Sequence, residues 1–382
     1  MTGDAAFRRL ADVVVAKAGN NKIIKGTQSD RPRSGLVQGF SASGPDVWVA
    51  TADYTRPGVV LSAVGARCGK TFLAEGAWTA IANTHVLLPS PLVDHRWLWY
   101  LTNDESFWVR GGSAQPFVKV KDTLQKEVKV PPLREQQRIV AILDEAFEGI
   151  ATAKANAEKN QQNACDLLDN HLKCTFRTRE EMGAEVQIGS VCQRLHQGLN
   201  TAGVKIKFQE TGYPIIQTRN IEDGIINLDE KIKFVSKEDW NFYKEKFRPE
   251  IGDVFFTNIG TIGKTAIIAE DCEYLIHWNI FKLRPKFKSI SSAYLKYALE
   301  NLTKSGYFKS MQKGGTVDFI TKAMISEAHI FLPSIIRQAE ITAELDSLRE
   351  ETQRLESNYQ SKLGALADLK NSLLSLAFTG AL

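Results

Sequence analysis

One segment of this chain occurs twice. VPPLREQQRIVAILDEAF, Val130 to Phe147, returns 202 positions later as LPSIIRQAEITAELDSLR, with identities at Pro131/Pro333, Gln136/Gln338, Ile139/Ile341, Leu143/Leu345, Asp144/Asp346 and Glu148/Glu350. The register then continues without a gap through Asn156/Asn358, Asp166/Asp368, Leu167/Leu369 and Leu172/Leu374 to Phe176/Phe378. A continuous helix keeps register in this way, whereas a loop-rich segment accumulates insertions. The copies open on Pro131-Pro132 and on Pro333, which a first helical turn tolerates, and neither has a proline further along. In the second copy Leu345, Leu348, Thr352, Leu355, Tyr359, Lys362, Leu366, Leu369, Leu373 and Leu376 alternate spacings of three and four, which is a heptad seam with two polar interruptions. The first copy carries Leu143, Ala146, Ile150, Ala153, Ala157, Asn160, Ala164, Leu167, His171 and Cys174 on the same stripe, mostly apolar but smaller. A large-residue seam facing an alanine-rich one predicts two long helices packed on each other. The simpler alternative is two unrelated amphipathic helices. Asn160 and Lys362 form one polar layer, which either fixes register or is solvated. At about 1.5 Å per residue such helices reach nearly 70 Å, so they predict a rod that separates whatever flanks it.

The flanking segments correspond more weakly. Gly58-Val59-Val60-Leu61 leads into Gly69-Lys70-Thr71, as Gly252-Asp253-Val254-Phe255 leads into Gly263-Lys264-Thr265; each then reaches an asparagine, Asn83 or Asn279. Gly111-Gly112-Ser113 matches Gly314-Gly315-Thr316 before each long helix. Short apolar runs such as YPIIQ and DVFFTNIG predict strands, with helix around WLWYLTND and SAYLKYALENLTKSGYF. The fold expected is therefore α+β: two α/β globular parts, 1–130 and 179–332, alternating with two long coiled-coil helices, 131–178 and 333–382, in a pseudo-twofold repeat.

Charge divides along the same lines. The total is +4 over 382 residues, but residues 1–130 hold 16 Lys+Arg against 11 Asp+Glu and residues 179–332 hold 21 against 19, while both helical segments are net acidic. Positive charge therefore sits in loops of the globular parts, beside residue types that read base edges. The first part offers Lys25, Gln28, Arg31, Arg33 and Ser34, then Arg110, Ser113 and Gln115. The second offers Arg194, His196, Gln197, Asn200, Lys205 and Lys207, then Gln217, Arg219 and Asn220, then Gln312 and Lys313. Lys70 and Lys264 are expected at the tips of tight turns, where they meet either solvent or a phosphate. Neither turn is a nucleotide-binding P-loop: that needs G-x-x-x-x-G-K-[ST], and here Gly65 and Gly69 are four apart, Gly260 and Gly263 three.

No catalytic constellation emerges. The six histidines are dispersed, the five cysteines form no C-x-x-C pair, and there is no G-x-G-x-x-G and no N-P-P-[YF] or D-P-P-[YF] turn. Asp223 and Asp229-Glu230-Lys231 read as surface charge. The expectation is no catalytic residue, no metal and no cofactor in this chain. With no apolar run of membrane-spanning length and no secretory leader, a cytoplasmic location without membrane association is expected.

The order globular part, PPLREQQRIVAILDEAF, globular part, then FLPSIIRQAEITAELDSLREETQRLESNYQSKLGALADLKNSLLSLAFTGAL resembles the specificity subunit of type I restriction–modification enzymes. The start of the second helix departs from that family's pattern, and the first globular part is the shorter. The resemblance implies that the two globular parts are target recognition domains, each reading one half of a bipartite DNA target, and that the two long helices pair antiparallel. It implies that the helices act as spacer and dock two modification subunits through residues such as Ile139, Leu143, Ile150 and Leu167, with Leu345, Leu348, Leu355, Leu366, Leu369 and Leu373. It also implies restriction subunits as further partners, S-adenosylmethionine in the modification subunits, and ATP with magnesium in the restriction subunits. The alternative from a different class is a coiled-coil protein adaptor that never meets DNA.

Overall fold

A computed structural model describes residues 5–177, 183–228, 231–311, 319–379 and 381–382. Gln312, Lys313, Gly314-Gly315-Thr316 and Asp229-Glu230 lie outside the described residues. The chain divides into two compact units, residues 1–158 with 361–382, and residues 159–360.

In the first unit, the strand Gly58–Ser62 is buried along its whole length. Its side chains alternate between two cores, as a two-residue period demands: Val59 and Leu61 face one, Val60 the other. That strand sits inside a four-stranded antiparallel sheet with Val14–Ala18, Thr84–Pro89 and Thr71–Ala74. A three-stranded sheet (Val37–Ser41, Gly44–Val49, Trp78–Ala80) covers one face, and it contains one parallel pairing, Gly39 with Thr79. The helix His95–Thr102, capped by the Asp94 carboxylate, covers the other face through Trp97 and Leu98.

The second unit repeats this plan. Its central strand Val254–Thr257 sends Val254 and Phe256 to one core and Phe255 to the other. The four-stranded sheet holds Cys192–Gln197, Ile280–Pro285, Val254–Thr257 and Thr265–Ile267. The three-stranded sheet holds Lys233–Val235, Tyr213–Ile216 and Leu275–Ile276, again with one parallel pairing, Ile215 with Leu275. Ser292–Lys304 takes the place of the covering helix, capped by Ser291. The hairpin of Ile221–Glu222 with Ile225–Ile226 and the helix Lys237–Phe247 have no counterpart among the described residues of the first unit.

Each unit is rooted on the long helices in the same way. They run Leu133–Thr175 (43 residues) and Ile335–Thr379 (45 residues). Gln136 is buried in the first turn of the first helix; its side-chain carbonyl accepts the Asp94 N–H at 2.7 Å, and its amide donates to Leu92 O and Pro131 O. Gln338 repeats all three bonds with Ser291 N–H, Ser289 O and Pro333 O. The repeated glutamine is thus a clamp between the start of the long helix and the covering helix. Pairing of the long helices is antiparallel within each unit. In the first, Arg138 donates to Leu382 O at 2.7 Å and Ala377 joins the core of Ile139 and Leu143. In the second, Gln161 meets Gln360, Cys165 meets Glu356, and His171 lies 2.8 Å from Glu344.

The heptad reading needs one correction. Leu143 and Leu345 are fully buried and Ile150, Leu348, Leu355, Leu366 and Leu373 partly so, but Leu167 and Leu369 are 51% and 48% exposed. An α-helix of 3.6 residues per turn drifts about 20° per heptad, so the second stripe of each copy rotates outward. Ala164, Leu172 and Phe176 take over in the first helix, Ala377 in the second. Asn160 and Lys362 are exposed, which makes their layer a solvated one.

Candidate nucleic-acid interface

Both central strands run into a short hairpin. Ser62 N–H donates to Lys70 O and Gly69 N–H returns to Ser62 O; Thr257 N–H donates to Lys264 O and Gly263 N–H to Thr257 O. Lys70 and Lys264 therefore sit at the bases of these hairpins, half-buried, and not at their tips as the sequence suggested. The ladder simply extends one pair further than the glycines imply. The exposed cation at the first tip is Arg67, which donates to Ser43 O at 3.1 Å. Gly69 and Gly263 hold φ of +98° and +89°, and each is overlaid closely: a Cβ would come within 2.8 Å of Arg110 Nη2 at the first and 2.2 Å of Thr303 Cγ2 at the second. Glycine is required at Gly263 by conformation and by space, and at Gly69 by conformation, since the Arg110 guanidinium can swing aside.

In the first unit, Arg110 lies across Gly69 and pairs with Glu105 at 2.8 Å, next to exposed Ser113 and Gln115. Residues 25–36 form a loop joined to the Gly44–Val49 strand through Trp48 N–H to Ser29 O. Lys25 is tied there to Asp46, and Gln28 donates to Thr27. Arg31, Arg33 and Ser34 stand exposed, and neither arginine has an ion-pair partner among the described residues. The loop thus groups five of the predicted contacts, and Arg110, Ser113 and Gln115 gather around the hairpin base.

In the second unit, Arg194, His196 and Gln197 lie on the edge strand Cys192–Gln197, while Asn200, Lys205 and Lys207 lie exposed on the loop after it. Lys205 takes a left-handed φ of 56°. His196 is half-buried opposite Lys282, and burial first, with Lys282 and Lys246 nearby, holds it below the usual histidine range. Lys282 is only 3% exposed and caps the extra helix by donating to Arg248 O at 2.7 Å; burial pulls its ammonium below the ordinary lysine value. Asn220 departs from the sequence expectation. It is 2% exposed, its side-chain oxygen accepts the Gln217 N–H at 3.0 Å and its amide donates to Asn227 O, so it shapes a turn and has no free edge for a base. Gln217 is half-buried in the same turn, whose exposed side chain is Arg219.

The sequence reading missed the turn His277–Asn279. A parallel bridge Leu199–His277 joins the two sheets there, as Asn20–Ile81 does in the first unit. The only forewarning was the recurrence of Asn83 as Asn279.

Among the described residues no group of three His, Cys, Asp or Glu could hold a metal, and no helix is long and apolar enough to cross a membrane. Two copies of one loop-bearing α/β fold, each clamped to the start of a long helix by a buried glutamine, define a duplicated recognition scaffold. The chain belongs to the type I restriction modification DNA specificity domain family, whose pattern matches it twice, over residues 51–161 and 183–364. It is similar to the type I restriction enzyme EcoBI specificity subunit of Escherichia coli, 25% identical over 171 residues, which is 45% of this chain and 36% of that protein. The chain thus aligns with just over a third of that relative. Its fold matches the HsdS subunit from Thermoanaerobacter tengcongensis with TM-score 0.61 at 20% identity, over 100% of this chain and 98% of the other. It also matches a chain from work on complex assembly and conformational transition of the type I R-M system, with TM-score 0.76 at 19% identity and full coverage of both.

Proposed function

We propose that this chain is the sequence-reading subunit of a type I restriction–modification complex, each α/β fold reading one half of a bipartite double-stranded DNA target. The observation that carries this reading is the doubling of the family match, once per copy of the fold. The basic loops around Arg31, Arg33 and Arg110, and around Arg194, Lys205, Lys207 and Arg219, supply phosphate and base contacts. The long helices set the unspecified gap and carry two modification subunits, with restriction subunits joining in the cytoplasm. Methyl transfer from S-adenosylmethionine and ATP- and magnesium-dependent translocation and cleavage take place in those partners, and this chain contributes recognition alone.

The test is methylome sequencing of cells expressing this chain with its modification subunit. One bipartite motif with adenine methylated in both halves is expected; no methylated motif with all subunits present overturns the reading. Duplex binding should weaken steeply with salt, since each neutralised phosphate releases counterions. An adaptor that ignores DNA would show no such slope.

A further inference from the structure

The turn His277–Asn279 lies where the two sheets of the second unit meet, and its side chains are set by a relay. The ring of His277 sits 2.9 Å from Asn279 Oδ1 through Nδ1 and 3.2 Å from Thr201 Oγ1 through Nε2. Burial, with Lys233 and Arg219 close by, keeps this imidazole below the usual histidine range, so near neutral pH it carries one ring proton. An N–H at Nδ1 donating to the amide oxygen, with Nε2 accepting from the threonine hydroxyl, satisfies all three groups. The relay fixes which way the Asn279 carboxamide points. Its oxygen keeps a second lone pair and its NH2 has no hydrogen-bond partner among the described residues. Beside it, Trp278 is 38% exposed, and its backbone is anchored on both sides: its N–H donates to Leu199 O and its carbonyl accepts from Gln197 Nε2.

The first unit has the same turn, with Asn83 in the place of Asn279 and the side chains before it changed. Asn20 N–H donates to Ala80 O where Leu199 N–H donates to Ile276 O, and Gly19 N–H to Thr84 O where Gly198 N–H donates to Ile280 O. Ile81 then stands for His277, Ala82 for Trp278 and Ala18 for Gln197. The asparagine recurs, as Asn83 and Asn279, but Asn83 takes a left-handed φ of 67° beside buried Ile81 and half-buried Ala82, whereas in the second unit the His277 ring orients the carboxamide and Trp278 stands exposed beside it. That difference in setting is what two readers of different sequences need.

From this geometry we infer that Trp278 and Asn279 form a base-reading point of the second unit, the oriented Asn279 carboxamide pairing with an adenine edge and the indole packing on its neighbour. A carboxamide matches adenine bidentately, donating to N7 and accepting from N6, and an exposed indole offers a flat apolar surface to a thymine methyl or a base face. The inference rests on the proposed DNA-reading role and adds the residues and the base.

The test uses the full chain in complex with its modification subunit, comparing wild type, Asn279→Asp and Trp278→Ala by methylation of a duplex panel in which each target base is changed singly. Asn279→Asp is close to isosteric but loses the amide donor. It is expected to lower methylation of the cognate duplex roughly ten- to hundred-fold, and to erase discrimination at one adenine of one half-site, a range that follows from a lost bidentate pair. Trp278→Ala should weaken the adjacent position. Unchanged specificity in both variants overturns the inference, as does equal loss in both half-sites. A wild-type complex with no sequence preference would instead defeat the underlying role. Thermal melts matching wild type to within a few degrees assign a loss to recognition; for a variant that melts lower, retained discrimination at the other half-site does the same.

Discussion

The two units dock on the long helices through one shared bond set in two different surroundings. In the first, Tyr100 donates to Asp144 at 2.7 Å, its ring meets Phe147 edge-on at 5.6 Å, and the Thr71 hydroxyl donates to Asn103 at 3.3 Å. In the second, Tyr297 donates to Asp346 at 2.5 Å, Arg349 lies 5.1 Å over its ring in place of Phe147, and the Thr265 hydroxyl donates to Glu300 at 2.6 Å in place of Asn103. Lys296, standing where Trp99 stands in the first unit, is 3.6 Å from Glu300, which also pairs with Arg349. The tyrosine–aspartate bond and the backbone frame are constant. In the first unit Arg96 pairs with Asp144 at 2.9 Å beside the aromatic rings, while in the second Lys296, Glu300 and Arg349 form a charged network where Trp99, Asn103 and Phe147 stand in the first. Docking is thus specified by few groups, and the rest must fill the volume and balance its charge. The two solutions differ in what can disturb them: removing one member of a buried network strands the others, whereas an aromatic cluster loses only packing.

The largest test addresses what the units share. Gln136→Ala and Gln338→Ala each orphan a buried helix-cap N–H and two carbonyls, at about 1–3 kcal/mol per group left unmade, so each should lose roughly 3 kcal/mol or more in urea unfolding. A loss under about 1 kcal/mol in one unit alone would break the equivalence of the two helix starts.

The next test addresses what differs. Glu300→Ala leaves Arg349 and Lys296 without their shared carboxylate, and about 3 kcal/mol is expected, the cost of breaking a buried pair from one side. Asn103→Ala, at an exposed position, should stay under about 1 kcal/mol. Comparable losses would mean that the charged network contributes no more than the amide.

Acid should also separate the units. Histidines held low by burial are His85 in the first unit and His196 and His277 in the second. A depressed folded value means that the unfolded chain binds the proton first. The stabilisation is therefore complete above the ordinary value near 6.5 and declines as pH falls below it, at up to about 1.4 kcal/mol per pH unit for each group. Unit-resolved urea midpoints between pH 7.5 and 5.5 should fall faster for the second unit; the reverse order would contradict the assignment of His196 and His277 as neutral in the fold.

The repeat made the helices, the duplicated plan and the helix starts legible, because a register kept without gaps is a property of sequence alone. The strands at Gly58–Ser62 and Val254–Thr257 were legible for the same reason. The interface was harder to read. Polarity marks Asn220 and Asn279 alike, yet one is consumed in capping a turn and the other is presented by a relay through His277 and Thr201. Only the meeting of segments far apart in sequence separates them. The hairpin lysines were misplaced because glycine signals a turn without saying how far the ladder runs before it.

The smallest expected effect on stability comes from the leucines that drift off the seam. Leu167 and Leu369 are equivalent in the repeat and about equally exposed, so Leu167→Glu and Leu369→Glu should each change stability by no more than about 0.5 kcal/mol, as surface substitutions do. If the outward stripe carries the modification subunits, both changes should still weaken their co-purification with this chain, because a carboxylate would have to be desolvated at a protein interface. A loss above about 1.5 kcal/mol in the free chain would return these leucines to the seam and restore the strict heptad. Unchanged stability and unchanged co-purification would move the docking surface to the buried-side neighbours, Ile150 and Leu348, which the drift leaves partly covered in both copies.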